Sequence, residues 1–348
     1  MNEADLLLKQ GISQYQASEF EAALQSWQQA LAAYQNIPDR RKEGAAIGNL
    51  GAAYQALGNV TEAIICYHRH LEIALEIQDR RGESNALLNL GNAFYTLGEF
   101  ARGIEYQQRR LEIAREMQNR LEEGQTLGNL RLTYQALGEE EPARECHQTQ
   151  LEIVRELFLA GTETDFVVLA GYLGLNPAED LAGADLSGFN LHYADLCGAN
   201  LTGANLTDAK LTLADLAGAN LSGANLSYAQ LVNANLAGAN LSLATLIGAD
   251  LRTNLSSANL TGAQMNEANL SSAYLSRANL AGAHLHGANL KDADLTGVNL
   301  AGADLSGADL TRANFTNAKL EKTRFAGNAG VSEEMKQEFS QRGAIFEN

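Results

Sequence analysis

Hydrophobic residues recur along this chain with two different periods, and the change between them falls near its middle. In the first half, Ala46, Ile47, Leu50, Ala53, Tyr54 and Leu57 follow the i, i+3, i+4, i+7 spacing of one helix face, and Gly58 supplies a stop. A second amphipathic helix is predicted from about Val60 to Ile77. The pair then repeats after 40 residues: IGNLGAAYQALGN (47–59), LLNLGNAFYTLGE (87–99) and LGNLRLTYQALGE (127–139) align. Leu31, Leu71, Leu111 and Leu151 share a phase, as do Ala23, Ala63, Gly103 and Ala143, and Arg40, Arg80 and Arg120. Four units of two helices are expected over roughly residues 4 to 157. No such unit can bury its apolar face alone, so the units must stack.

The second half repeats every five residues. Leucine stands at every fifth position from Leu181 to Leu251, and a further run goes from Leu255 to Phe325. The centres are leucine throughout except Met265, Phe315 and Phe325, and alanine stands two residues before most of them. Phe189, Thr253, Val298 and Thr323 are exceptions. Positions five apart scatter around a helix and alternate faces on a strand, so neither regular element can bury them together. A short extended stretch followed by a turn can, and the chain must then coil about its own axis. The interval Leu251–Leu255 is one residue short, which predicts a tightened corner or small kink.

The stretch NLGNAFYTLGEFARGIEYQQRRLEIA (89–114) resembles a tetratricopeptide repeat of the long, 40-residue type found in kinesin light chains and related adaptors. The first unit departs from it, with Ser18 and Glu19 where the LG pair stands in the others. The second half resembles the pentapeptide repeat family, pattern A-(D/N)-L-x-x, and the ending RGAIF resembles cyanobacterial members. The resemblance implies an α + β two-part solenoid: an N-terminal α-solenoid of helix pairs, then a right-handed quadrilateral β-helix with four repeats per coil. At roughly 4.8 Å per coil the rod would be about 36 Å long. The expected organisation is a tetratricopeptide domain at 1–160, a linker and cap helix at 161–180, the β-helix at 181–328, and a cap helix and tail at 329–348.

The tetratricopeptide resemblance also implies a concave groove lined by the first helix of each pair. Asn49, Asn89 and Asn129 recur in one phase, and a side-chain amide can both donate to and accept from an extended peptide backbone. These three, with Asn85, are the candidate protein-binding residues. Related adaptors often carry arginine four residues before this asparagine. Here Ala45, Asn85 and Gln125 stand there, which argues against an acidic peptide ligand. The expected partner is a protein or peptide, and the sequence sets no oligomeric state.

Two further segments read as caps for the open ends of the rod. One is a short helix from about Glu163 within 161–175; the other begins at Ser332 as N-cap, with Glu333 and Glu334 in its first turn, and stops at Gly343.

The formal net charge is −17 over 348 residues, which disfavours direct contact with nucleic-acid phosphates or anionic lipid. It leaves one competing reading, a DNA mimic that inhibits a DNA-binding enzyme such as gyrase, as some pentapeptide repeat proteins do. Residues 181–330 carry eleven acids against eight bases, far short of the roughly twenty charges that about 36 Å of duplex would present. Cys66, Cys146 and Cys197 show no CxxC spacing and read as reduced thiols of a cytoplasmic protein. The most apolar segment, FVVLAGYLGL (166–175), is too short to span a bilayer. No catalytic motif is found, and His284 and His286, flanking Leu285 on the outside, lack a third metal ligand. The sequence therefore indicates a non-enzymatic scaffold without metal or other cofactor, its β-helix a rigid spacer or second docking face.

Overall fold

The computed structural model describes residues 3–36, 39–161 and 165–347. The chain divides into two compact units, Met1–Ile153 and Val154–Asn348.

Among the described residues the first unit holds, in sequence order, α1 (Glu3–Gln16) and α2 (Phe20–Tyr34), α3 (Arg40–Ala56) and α4 (Val60–Glu76), α5 (Arg80–Thr96) and α6 (Phe100–Glu116), and α7 (Arg120–Leu137) with the greater part of α8 (Glu140–Leu159). Successive helices up to α7 pack on one another, and α3, α5 and α7 also meet side by side. Between the paired helices, small residues admit large ones. A methyl group on Gly51 would overlap the Tyr67 ring, which is itself buried with Ala63, Leu87 and Phe94. Gly58, Gly98 and Gly138 take the left-handed conformation after the first helices. In the divergent first unit Ser18 adopts it instead, at φ +61°.

The recurring arginines have a common task. Arg40 bonds Glu43 at 2.6 Å and also Glu76; Arg80 bonds Glu83 at 2.9 Å and also Glu116. Arg120 bonds Glu123 at 2.6 Å. Arg40 thus ties the start of α3 to the end of α4, and Arg80 the start of α5 to the end of α6.

In the second unit every five-residue side is a β-turn followed by one extended residue pair. Ala184 N–H donates to Leu181 O at 3.2 Å, and the residue two after each central leucine except Leu251, such as Gly188 at φ +70°, is left-handed, as the third residue of a type II turn requires. Successive coils bond in parallel: Leu186 N–H donates to Asn205 O (2.8 Å), Gly188 N–H to Thr207 O (2.8 Å) and Asn205 N–H to Ala184 O (2.9 Å). The pairing offset of 20 residues, as in Asp185 with Asn205, fixes four sides per coil. Leucine and alanine fill the interior, and both Leu241 and Ala239 are fully buried.

The exceptions to the alanine rule have local reasons. Phe189 joins Phe158 and Phe166 in an aromatic cluster at the first coil, with centroids 4.8 and 5.8 Å away. Thr323 is buried but its hydroxyl donates to Leu300 O at 2.8 Å, and Thr253 donates likewise to Ala234 O. Nothing in the structure explains Val298.

The short side is tightened as its length predicts. The turn is replaced by a bend at Thr253, no residue there is left-handed, and the pairing offset falls to 19 between Asn235 and Asn254. The offset returns to 20 between Asn254 and Tyr274, so the ladder continues.

Both ends are covered. At the first coil, Arg155 donates to Asp185 O at 3.0 Å and pairs with its carboxylate at 3.2 Å, while Phe158 packs on Phe189. These contacts group the end of α8 with the rod, so the unit boundary falls before the expected residue 161. The helix that follows, α9 (Phe166–Tyr172), is N-capped by Asp165, which accepts from Val167 and Val168. The expected start at Glu163 lies outside the described residues. A single turn, α10 (Pro177–Asp180), was not anticipated; its Pro177 O accepts from Asn200 N–H at 3.0 Å.

At the far end, β1 (Arg324–Phe325) pairs in parallel with β2 (Ile345–Phe346), after α11 (Glu333–Gln341) has crossed the opening. Ser332 accepts from Met335 N–H as the N-cap, and Gly343 is left-handed. Phe339 is buried against Phe315 and Phe325, and Arg342 donates to the carbonyls of Phe315 and Ala318. The strand pairing at Ile345–Phe346 had no signal beyond two apolar residues at the right distance from the cap.

Candidate functional site

A cleft of about 490 Å³ opens between α3 and α5. Asn49, Asn85 and Asn89 all line it. Asn129 stands half-buried on α7 and is not among the lining residues. The amide side chains of these four asparagines make no hydrogen bond among the described residues, which leaves their donors and acceptors open to a ligand.

The cleft also contains charge that the asparagine phase did not reveal. Arg41 and Arg81 line it, one turn before Ala45 and Asn85. The argument against an acidic ligand rested on Ala45, Asn85 and Gln125 alone, and the cleft carries arginines one turn earlier. Arg41 is paired with Asp79 at 3.0 Å. Arg81 is exposed and makes no ion pair among the described residues.

His70 of α4 forms part of the cleft wall, packed under Gly44 and Gly48. Its Nδ1 is buried without a hydrogen-bond partner. Burial holds its imidazole below the ordinary histidine range, with Asp79 opposing that shift, so it is neutral near pH 7. His68, two residues earlier, turns away and meets Tyr106 edge-on at 5.8 Å.

In the 40-residue register, His70 is succeeded by Arg110, which is also buried. Arg110 donates to Thr126 Oγ1 at 2.6 Å and pairs with Glu122 at 3.2 Å; Glu122 also accepts from Ser84. Burial lowers the guanidinium's affinity for its proton, and Glu122 restores part of it. Glu123 lies on the same helix. Burial acts to raise its carboxyl, but hydrogen bonds from Arg115 and Arg120 prevail and hold it below the usual carboxylate range. A polar layer therefore underlies part of the solenoid, though helix periodicity alone presents these residues as solvated.

The outer asparagines of the rod behave differently from those of the cleft. Asn240 Nδ2 donates to Asn220 Oδ1 at 3.0 Å, Asn259 to Asn240 at 3.0 Å and Asn299 to Asn279 at 2.8 Å. Their Oδ1 atoms also accept from the backbone two residues on, as Asn220 does from Ser222 N–H at 3.2 Å. These amides are ladders. His284 and His286 are both exposed, and among the described residues no group of three or more potential metal ligands forms. Cys66 and Cys146 are half-buried free thiols, and Cys197 is exposed. No helix among the described residues is long and apolar enough to cross a membrane.

A stack of helix pairs with an open polar cleft, followed by a coil of five-residue sides, defines a two-solenoid repeat protein. Pentapeptide repeats match in eight copies across residues 180–218, 214–252, 253–292 and 288–327, and a tetratricopeptide repeat matches residues 43–116. Through these repeats the chain belongs to the pentapeptide repeat family and carries a tetratricopeptide domain.

Among solved structures, it is 40% identical to HetL, a pentapeptide repeat protein involved in heterocyst differentiation regulation in the cyanobacterium Nostoc sp. strain PCC 7120, covering 41% of this chain and 72% of that one with a TM-score of 0.25. It is 21% identical to QnrB1, a plasmid-mediated fluoroquinolone resistance protein, covering 46% and 86% with a TM-score of 0.28. Over 50% of this chain and 95% of the other, it is 17% identical to putative kinesin light chain TPR-like repeats from Podosopora anserina, with a TM-score of 0.40. No curated protein matches the sequence.

Proposed function

We propose that this chain is a non-enzymatic, cytoplasmic adaptor that holds an extended peptide segment of a partner protein in the cleft along its first helices. The β-helix serves as a rigid spacer or second docking face. The observation that carries this reading is the set of unbonded amides, Asn49, Asn85 and Asn89, lining one cleft. In the rod, by contrast, amides such as those of Asn220, Asn240 and Asn259 bond one another from coil to coil. Binding by these amides requires no catalytic group and no cofactor.

The charge pattern of the rod favours this reading over DNA mimicry. Its eleven acids over residues 181–330 are offset by eight bases, and Asp250, Asp292 and Glu347 are ion-paired with Arg252, Arg312 and Arg324. Gyrase supercoiling should continue unimpaired at micromolar protein; inhibition would favour mimicry.

The direct test is quantitative affinity capture from cyanobacterial lysate by the full chain and by the Asn49→Ala/Asn89→Ala variant. The reading expects a partner whose capture falls at least about fivefold in the variant, with circular dichroism and melting temperature unchanged. Equal capture by both proteins would remove the groove from the function.

A further inference from the structure

Along one corner of the rod, each turn is tied to the next coil by a hydrogen bond from its left-handed residue. Tyr193 N–H donates to Thr212 O at 3.3 Å, Leu213 N–H to Val232 O at 3.1 Å and Asn233 N–H to Arg252 O at 3.0 Å. The series resumes with Ser272 N–H to Lys291 O at 2.9 Å. Between them lies the short side, and the residue it lacks is the one that would donate to Ser271 O. Among the described residues Ser271 O accepts no hydrogen bond, and the N–H groups of Arg252 and Thr253 have no acceptor.

A notch of about 660 Å³ opens at this place, between the turn at Asn233 and the turn at Ser272. Small-molecule sites span roughly 300–1,000 Å³. Thr253 is buried in the notch, its hydroxyl already bonded to Ala234 O. Tyr274 lines it and is 62% exposed. The side chains of Asn233, Ser272 and Tyr274 make no hydrogen bond among the described residues. Arg252, the charged residue of the lining, is held by both carboxylate oxygens of Asp250, at 2.8 and 2.6 Å.

We propose that this notch binds a neutral sugar ring, stacked on Tyr274 and hydrogen-bonded to the main-chain groups that the missing residue leaves unpaired. The site is independent of the helical groove. An anionic ligand finds no free cation in the lining, because Asp250 already neutralises Arg252. An apolar ligand would cover two N–H groups and a carbonyl without satisfying them. A sugar meets both conditions. Its hydroxyls donate and accept around the rim, matching the main-chain groups, the Asn233 amide and the Ser272 hydroxyl, while its C–H face covers the tyrosine ring. The coils on either side are continuous, so the polar groups are in place before the ligand arrives.

The test is saturation-transfer NMR on the full chain with a panel of neutral pyranoses and their disaccharides, followed by titration calorimetry of those that bind. At least one should bind, and Tyr274→Ala should weaken it about tenfold through loss of stacking. Inserting one glycine between Arg252 and Thr253 restores a five-residue side, and its N–H would reach Ser271 O. That variant should keep the urea midpoint of the rod or raise it, and should lose the sugar. If no member of the panel binds, or if binding survives either change, the proposal is overturned. Preference for a sugar phosphate over the neutral sugar would overturn it as well.

Discussion

The two solenoids place their backbone hydrogen bonds in different directions, and this decides where each can vary. In the helical unit the bonds close within each helix, so repeats communicate through side chains: Tyr67 against Gly51, Arg80 against Glu83 and Glu116. Such contacts tolerate substitution, and buried polar groups such as Arg110 and Glu123 can be accommodated with partners. In the β-helix the bonds run between coils, so each coil depends on its neighbours and the interior is restricted to alanine, leucine and a few matched exceptions. Variation moves to the outside. The helical half therefore has an outer face, the cleft included, that changes from repeat to repeat, and the rod has a nearly invariant interior with two ends to protect.

The sharpest way to break this comparison is to open the rod's far end. Phe339→Ala removes a buried ring from between Phe315 and Phe325 and should cost the second unit about 3–5 kcal/mol. Urea unfolding should show the loss in the rod's transition, and light scattering should show association through the uncovered coil.

A smaller effect is expected in the helical unit. Glu123→Gln leaves Arg115 and Arg120 without their carboxylate and should cost about 1–3 kcal/mol by thermal unfolding, because both arginines remain partly solvated. The wild-type contribution also has a defined acid limit. Since the folded carboxyl lies below its ordinary value, the contribution is complete above about pH 4.5 and is lost as pH falls through the folded value.

The rod's corners offer a change of opposite sign. Leu213 is left-handed at φ +62° and exposed, so Leu213→Gly should stabilise by about 1 kcal/mol, read as a rise in the urea midpoint. No gain would mean that the leucine's contacts offset its backbone strain.

The smallest effect concerns His70. Its folded pKa is lowered by burial, so its contribution is retained above the unfolded value, about 6.5, and stability declines below it as the unfolded chain takes up the proton first. His70→Gln should flatten that part of the stability–pH curve between pH 7 and 5.5.

The architecture was legible because both periods are set by burial, and burial leaves a strong trace in sequence. Leu181 to Leu251 could hardly be read otherwise, and the lower cap was readable from Ser332 to Gly343 because capping chemistry is local. The contacts of Arg155 and Phe158 at the upper end, and the pairing of Ile345–Phe346 with Arg324–Phe325, were not readable because they join residues far apart in the chain. In the groove, the asparagines were found by their repetition. Arg41 and Arg81 were missed because they stand one turn before Ala45 and Asn85, and His70 because it reaches the cleft from the second helix of its pair.

The short side at Leu251–Leu255 bears on how such a rod stores its sequence. A deletion in a five-letter code is a frame shift, and everything downstream should then be misread. It is not, because the coil counts inward-facing leucines rather than residues: Leu255 and all later centres resume the interior as though nothing were missing. Each side thus behaves as a separate word whose length can vary by one letter, and the message is punctuated by its core.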